Sequence, residues 1–389
     1  MLWSAHLTIE GRVQHKLPSS PRSGAPETSV IRRSVAALNP FRARPIDAGG
    51  TGAPVRRLNL NECPYPPSPR VVEAIQKAAA AVNRYPDPTW RALSAAISKR
   101  TGVEPARMAF GNGSDELLML LSQIVLEPGA SAILPVPSFP RYMTATVFAG
   151  ATPIAVPVRA DGANDVGAML AAIRPDTRLV MCATPNNPTG AMLDAAALAR
   201  LASGVPANVL LLIDEAYFEF ARHAGGADAL AAVAARQGPW AVVRTLSKAY
   251  SLAGMRVGYA LLSSPDLAEA VNRVRGMFNV NMLAQVAAVA AIEDEAHTQR
   301  LLDDCARERQ RLSEGFARLG CPPLPSVANF VSVQLPMPAA DAVKAFADRG
   351  ILVVAVGAAP FDRHIRITVG TAEDTDAVLA AVAEIARPR

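Results

Sequence analysis

Several side chains of different chemistry recur at one kind of place in this 389-residue chain, just past a short apolar run. Lys248 follows residues 241–244 by way of Thr245-Leu246-Ser247. Asp214 and Tyr217 follow Val209-Leu210-Leu211-Leu212-Ile213. Asn187 stands in Thr184-Pro185-Asn186-Asn187-Pro188-Thr189-Gly190, after residues 179–183. Gly111-Asn112-Gly113-Ser114-Asp115 follows residues 108–110 and feeds a helical run, 116–126; Phe139 comes after 131–134. A neutral lysine is a nucleophile and a base. A carboxylate straight after a buried strand needs a partner or a ligand. A glycine-rich turn entering a helix presents free N–H groups to an anion, most naturally a phosphate. Taken singly, each has an ordinary reading. Most lysines are solvated, Asn-Pro-Gly runs are turns, glycine turns cap helices, and a phenylalanine is usually core.

The elements around these residues make the set more than a coincidence. Continuous apolar runs such as 209–213 suit strands buried on both faces. Together with 152–158 and 257–261 they alternate with longer helical stretches, which predicts an α/β domain with a parallel sheet covered by helices. In such sheets ligands bind outside the carboxyl ends of the strands. Asn187, Asp214, Tyr217 and Lys248 then share one crevice with the glycine turn. That set suits a pyridine ring carrying a phosphate, a phenolic oxygen and an aldehyde. Asp87-Pro88 predicts a helix start, with Asp87 as cap and Pro88 first in the helix. Trp90, Leu93 and Ile97 recur at helical spacing and Gly102 ends the pattern. The last hundred residues predict a smaller α+β unit: a helix over 293–319, a strand over 329–335, a helix ending near Gly350, and strands over 351–356 and 364–369. Thr371-x-x-Asp374 then opens a final helix in the manner of a capping box, with Val378, Val382 and Ile385 on one face. The expected division is a large domain, 84–290, a small domain, 57–83 with 291–389, and a basic extension, 1–56, without stable structure.

Composition limits the function classes. A chain this long, 50% hydrophobic and 19% charged, buries a sizeable core. The net charge of +5 invites a nucleic-acid partner. Residues 1–50, however, hold seven Lys/Arg against three acids, and the remainder is +1. No basic face is needed, and neither a nucleic-acid nor a membrane partner is expected. The four cysteines form no C-x-x-C pair, so neither a metal site nor a disulfide framework is expected, and a reducing cytoplasm is the simplest setting. No run of about 18 apolar residues predicts a transmembrane helix. The N-terminus lacks the pattern of a secretory signal.

With these motifs in place, the sequence resembles the fold type I, pyridoxal-phosphate-dependent aminotransferases, in particular the histidinol-phosphate aminotransferase group. The likeness runs from Asn59 to Ala386. It is carried by Asn59-Leu60-Asn61-Glu62-Cys63-Pro64-Tyr65, Arg84-Tyr85-Pro86-Asp87, the glycine turn, Asn186-Asn187-Pro188-Thr189-Gly190, Asp214-Glu215-Ala216-Tyr217, Ser247-Lys248-Ala249-Tyr250-Ser251-Leu252-Ala253-Gly254-Met255-Arg256-Val257-Gly258-Tyr259 and Ile365-Arg366-Ile367-Thr368-Val369-Gly370-Thr371. The resemblance implies pyridoxal 5'-phosphate as cofactor, held as a Schiff base by Lys248, whose freed amine then moves the substrate α-proton. Asp214 would pair with the ring nitrogen, Asn187 and Tyr217 with the ring oxygen, and Phe139 with the ring face. Ser114, Asp115, Ser247 and Arg256 would hold the cofactor phosphate. Tyr65 would reach that phosphate from a neighbouring subunit, implying a homodimer with shared sites. Arg366 would clamp the carboxylate of a small amino donor or 2-oxo acid.

One departure from the group concerns the substrate. Its members carry a second arginine about a dozen residues before the carboxylate clamp, where it binds the substrate phosphate. Here that position is Val354, and residues 351–359 hold no basic side chain. Losing one charge-assisted contact costs about 1.5–3 kcal/mol. The expectation is therefore an aromatic or aliphatic donor side chain, unless Arg363 or His364 substitutes. Two rival activities remain at this point: a decarboxylase of the same fold, and a non-catalytic regulator built on it.

Overall fold

The computed structural model describes residues 30–40, 55–357 and 359–385. At its centre lies a seven-stranded sheet, in the order Met108–Asn112, Val257–Leu262, Trp240–Thr245, Leu210–Asp214, Thr177–Ala183, Ser131–Val136, Thr152–Pro157. Its strands are apolar without interruption because both faces are covered. Leu211, Ile213, Val180 and Val242 pack into one core layer, and Leu210, Leu212, Met181 and Val243 into the other. Val257–Leu262 runs antiparallel to both its neighbours, whereas the alternation pattern alone suggested a parallel strand. The reason is the short connection, 246–256: a parallel return needs a crossover of a dozen or more residues, usually a helix.

A second sheet is antiparallel, with His364–Thr368 between Phe330–Gln334 and Val354–Ala355. The single strand expected over 351–356 is in fact two. Ile351–Leu352 pairs in parallel with Arg56–Arg57, and Val354–Ala355 pairs with His364–Thr368. The chain changes sheets at the buried Val353. Glu295–Arg318 and Ala372–Ile385 pack beside this sheet, and the second helix begins with the expected cap: Thr371 N donates to Asp374 Oδ2 at 3.0 Å and Asp374 N to Thr371 Oγ1 at 3.3 Å. The Arg91–Thr101 helix starts three residues later than Asp87-Pro88 suggested. The Asp87 carboxylate accepts from both Thr89 N and Arg91 N, building a separate turn ahead of the helix.

The basic extension is not featureless throughout. Arg33–Ala36 forms one helical turn, and the Arg32 guanidinium lies 4.7 Å from the ring of Phe148 on the Arg141–Phe148 helix. This cation–π contact anchors a segment that composition alone left without structure. Arg56, at the end of the same extension, is paired with Ile351; residues 1–29 and 41–54, on which the rest of that expectation falls, lie outside the described residues. Among the described residues no helix is long and apolar enough to cross a membrane.

Candidate active site

A cavity of about 440 Å³ opens at the carboxyl ends of the parallel strands, roofed by the His364–Thr368 strand and by Leu60-Asn61-Glu62. Lys248, Asp214, Asn187 and Tyr217 all face it, as their strand-end positions predicted. Ser114, Asp115, Phe139, Ser247, Arg256 and Arg366 line it too.

Asp214 ends its strand and is 5% exposed. Its Oδ2 accepts from the Tyr142 hydroxyl at 2.7 Å and its Oδ1 from Ala216 N at 3.0 Å. Neither partner is a cation. Burial pushes its carboxyl up to about 6, although both hydrogen bonds pull it down. A buried carboxylate without a counter-charge, open to a cavity, is suited to a protonated ring nitrogen.

Lys248 lies across the same space, its Nζ donating to the Leu60 carbonyl at 3.1 Å. It is half-buried on the cavity wall, and the loss of water lowers its amine to about 8, with Arg366 and Arg256 acting in the same direction and Glu62 against them. A substantial neutral fraction near physiological pH follows, as a nucleophile or base requires.

The phosphate-type turn is shaped by two glycines. Gly113 takes φ +80°, and a Cβ there would run into the Arg256 guanidinium. A Cβ on Gly258 would strike the backbone N of Ser114. The turn can therefore lie flat on the neighbouring strand with Arg256 beside it, leaving the helix N-terminus at Ser114 and Asp115 facing the cavity. The Asp115 carboxylate is held by Arg141, at 2.5 Å from Nε and 2.7 Å from Nη2, so its backbone N–H rather than its charge is what an anion would meet. Ser247 is 5% exposed and bonded to Thr245 Oγ1 at 3.0 Å.

Opposite this turn, Arg366 Nη1 donates to Asn187 Oδ1 at 2.6 Å and Nη2 to the Asn59 carbonyl at 2.5 Å. Its buried Nε has no partner. A guanidinium 9% exposed with an idle donor suits a planar oxyanion such as a carboxylate. Val354 pairs with Arg366 across the antiparallel ladder, so the two side chains share one face. Arg363 is turned to the Leu335 carbonyl at 3.3 Å; neither it nor His364 lines the cavity, and Val354 adjoins the cavity only through its pairing with Arg366.

Tyr65 is the expected site residue that this chain does not bring to the cavity. It borders a separate small void with Cys63, Phe220, Leu301 and Cys305. Two buried residues were missed from sequence: Tyr142, bonded to Asp214, and Asn61, whose Nδ2 donates to the Tyr217 hydroxyl at 2.8 Å. Tyr142 carried a weak signal, three residues past Phe139 on a helix facing the sheet. Asn61 lay within a quoted motif but offered no chemistry of its own.

The comparisons agree with this geometry. The sequence profile described as "Aminotransferase class I and II" matches residues 53–382. Histidinol-phosphate aminotransferase 2 of Methylococcus capsulatus is 38% identical over 85% of this chain and 90% of its own. The histidinol-phosphate aminotransferase of Moorella thermoacetica is 35% identical over 96% and 97%. The crystal structure of histidinol-phosphate aminotransferase from Sinorhizobium meliloti, in complex with pyridoxal-5'-phosphate, superposes with a TM-score of 0.85 at 32% identity, covering 92% of this chain and 98% of that one. With the profile spanning nearly all the described residues, the chain belongs to the aminotransferase class I and II family.

Proposed function

We propose that this aminotransferase binds pyridoxal 5'-phosphate in the cavity and moves an amino group between a small amino donor and a 2-oxo acid. The observation that carries the reading is the pairing, in one cavity, of a lysine lowered to about 8 with a buried aspartate that has no cationic partner. When bound, the cofactor supplies an aldehyde for the amino group and a ring that takes up the electron pair released at the α-carbon.

In this reading Lys248 Nζ holds the cofactor covalently and, once displaced, removes and returns the α-proton. Asp214 keeps the ring nitrogen protonated, and the new positive charge relieves its own desolvation. Asn187 and Tyr217 donate to the ring oxygen, and Phe139 covers the ring. The N–H groups of Ser114 and Asp115, with Ser247 and Arg256, hold the phosphate. Arg366 fixes the substrate carboxylate, which leaves the α-proton rather than the carboxylate facing Lys248 and favours transamination over decarboxylation. We further propose a homodimer in which Tyr65 serves the neighbouring site, a cytoplasmic setting suited to four free cysteines, and a division into domains at 84–290 and at 57–83 with 291–389.

The relatives' names point to histidinol phosphate as donor. Val354 beside Arg366 supports a donor with an aromatic or aliphatic side chain instead, because the face next to the carboxylate clamp offers no cation for a phosphate. The test is a donor panel with bound cofactor followed by its absorbance. Conversion to the amine form by aromatic or aliphatic amino acids is expected, and histidinol phosphate as the best donor would contradict the Val354 reading. Carbon dioxide release in place of a keto product would favour the decarboxylase.

A further inference from the structure

Asn61 stands at a junction that the expected roles leave unexplained. It is 1% exposed and takes φ +53°, a left-handed conformation that asparagine tolerates better than other residues with a Cβ. Three bonds hold it there. Its backbone N donates to Thr368 Oγ1 at 3.0 Å, its carbonyl accepts from Asn329 Nδ2 at 3.0 Å, and its Oδ1 accepts from Thr368 Oγ1 at 3.3 Å. The Thr368 hydroxyl is thus acceptor for the backbone and donor to the side-chain oxygen. That arrangement turns the amide nitrogen toward Tyr217, 2.8 Å from its hydroxyl oxygen.

The direction of this last bond matters. A phenol has one proton to give. If Asn61 presented its oxygen, Tyr217 would spend that proton on it and have none for a ligand. With Nδ2 as the donor, the Tyr217 oxygen is already an acceptor and its proton is left for the cavity. A donor behind the oxygen also polarises the phenol and strengthens the bond that it gives.

We propose that Asn61 is a positioning residue that sets the proton direction of Tyr217, and so strengthens its hydrogen bond to the ring oxygen of the cofactor. The inference rests on the cofactor reading above. It also links two parts of the site, because Thr368 lies two residues beyond Arg366 on the same strand.

The readout is the pH midpoint of the visible absorbance of the lysine-bound cofactor, independent of turnover. A donor on the ring oxygen stabilises negative charge there and loosens the proton shared beside it. Losing the donor tightens that proton, so the midpoint moves up. Asn61→Gly removes the amide without straining a left-handed backbone; it leaves the Tyr217 proton free but unpolarised, and is expected to raise the midpoint by roughly a few tenths of a pH unit. Asn61→Asp, similar in shape but able only to accept when ionised, takes up that proton and is expected to raise it further, by about one pH unit, the size of one hydrogen bond to a charged group. Adding Asn61→Gly to Tyr217→Phe is expected to produce no further shift, because Asn61 acts through the hydroxyl. An unchanged midpoint in both Asn61 variants, or fully additive shifts in the double variant, would overturn the proposal. A wild-type protein without visible absorbance on adding pyridoxal phosphate would instead defeat the cofactor reading itself.

Discussion

The floor of the cavity and its Arg366 wall are built differently. On the floor, Asp214 and Lys248 hang from neighbouring strands of one sheet, and the glycine turn from a third strand of it, beyond Val257–Leu262. Their spacing is set by strand pairing; the Asp214 and Asp115 side chains are braced from behind by Tyr142 and Arg141, and Thr245 Oγ1 holds the backbone N of Ser247 beside Lys248. The wall has no such common frame. Arg366 spans 179 residues of sequence to Asn187 and 307 to Asn59, joining the small antiparallel sheet to loops of the large one. The floor is suited to chemistry that needs fixed geometry, and the wall to recognition of whatever substrate is presented.

Kinetics test that contrast directly. The largest loss is expected for Lys248→Ala: turnover falls by about 10³-fold or more, since nucleophile and base vanish together, and the visible absorbance of the bound cofactor goes with it. Residual turnover within tenfold of wild type would remove Lys248 from the chemistry. Next come one floor variant and one wall variant. Asp214→Asn keeps the shape and removes the charge, and is expected to lower kcat by about 10²-fold. Arg366→Ala is expected to lower kcat/KM by about 10–150-fold, chiefly through KM for both amino and keto substrates. Equal effects on kcat from both variants would erase the distinction between floor and wall.

A gain is expected on the wall. Val354→Arg should improve kcat/KM for phosphate-bearing donors by about tenfold and worsen it for apolar ones. No change in the donor ranking would mean that position 354 does not face the substrate. The smallest effect is expected behind the floor. Tyr142→Phe leaves a buried carboxylate oxygen unpaired and should cost about 1–3 kcal/mol of stability, read by denaturant melting.

The floor also carries a pH signature. In the cofactor-free chain Asp214 binds its proton with a pKa raised from 3.8 to about 6. Between those values the folded form holds more protons than the unfolded one. The Asp214 contribution is therefore full below about 4 and lost as pH rises through about 6. Thermal melts of the cofactor-free protein should show this decline, and Asp214→Asn should flatten it.

The floor was largely legible in the sequence because its residues sit directly after apolar runs that could only be buried strands. The helix after the glycine turn and the capping box at Thr371 were legible for the same reason: local chain chemistry dictates them. The antiparallel Val257–Leu262 strand and the split at Val353 were not, because pairing direction depends on the partners available rather than on the strand itself. Tyr142 and Asn61 escaped because their role lies in what they touch: Asp214 is 72 residues from the first, and Tyr217 is 156 from the second.

By itself the sequence determined an α/β chain with a lysine, an aspartate and a phosphate-type turn at strand ends, and it supplied the motifs of one enzyme family. Only the tertiary structure decided that Arg366 meets Asn187, that Asp214 has no cation of its own, and that Asn61 stands behind Tyr217. Strand ends follow from local apolar patterning, whereas the charge balance and hydrogen-bond direction of a site depend on which distant groups share its buried volume.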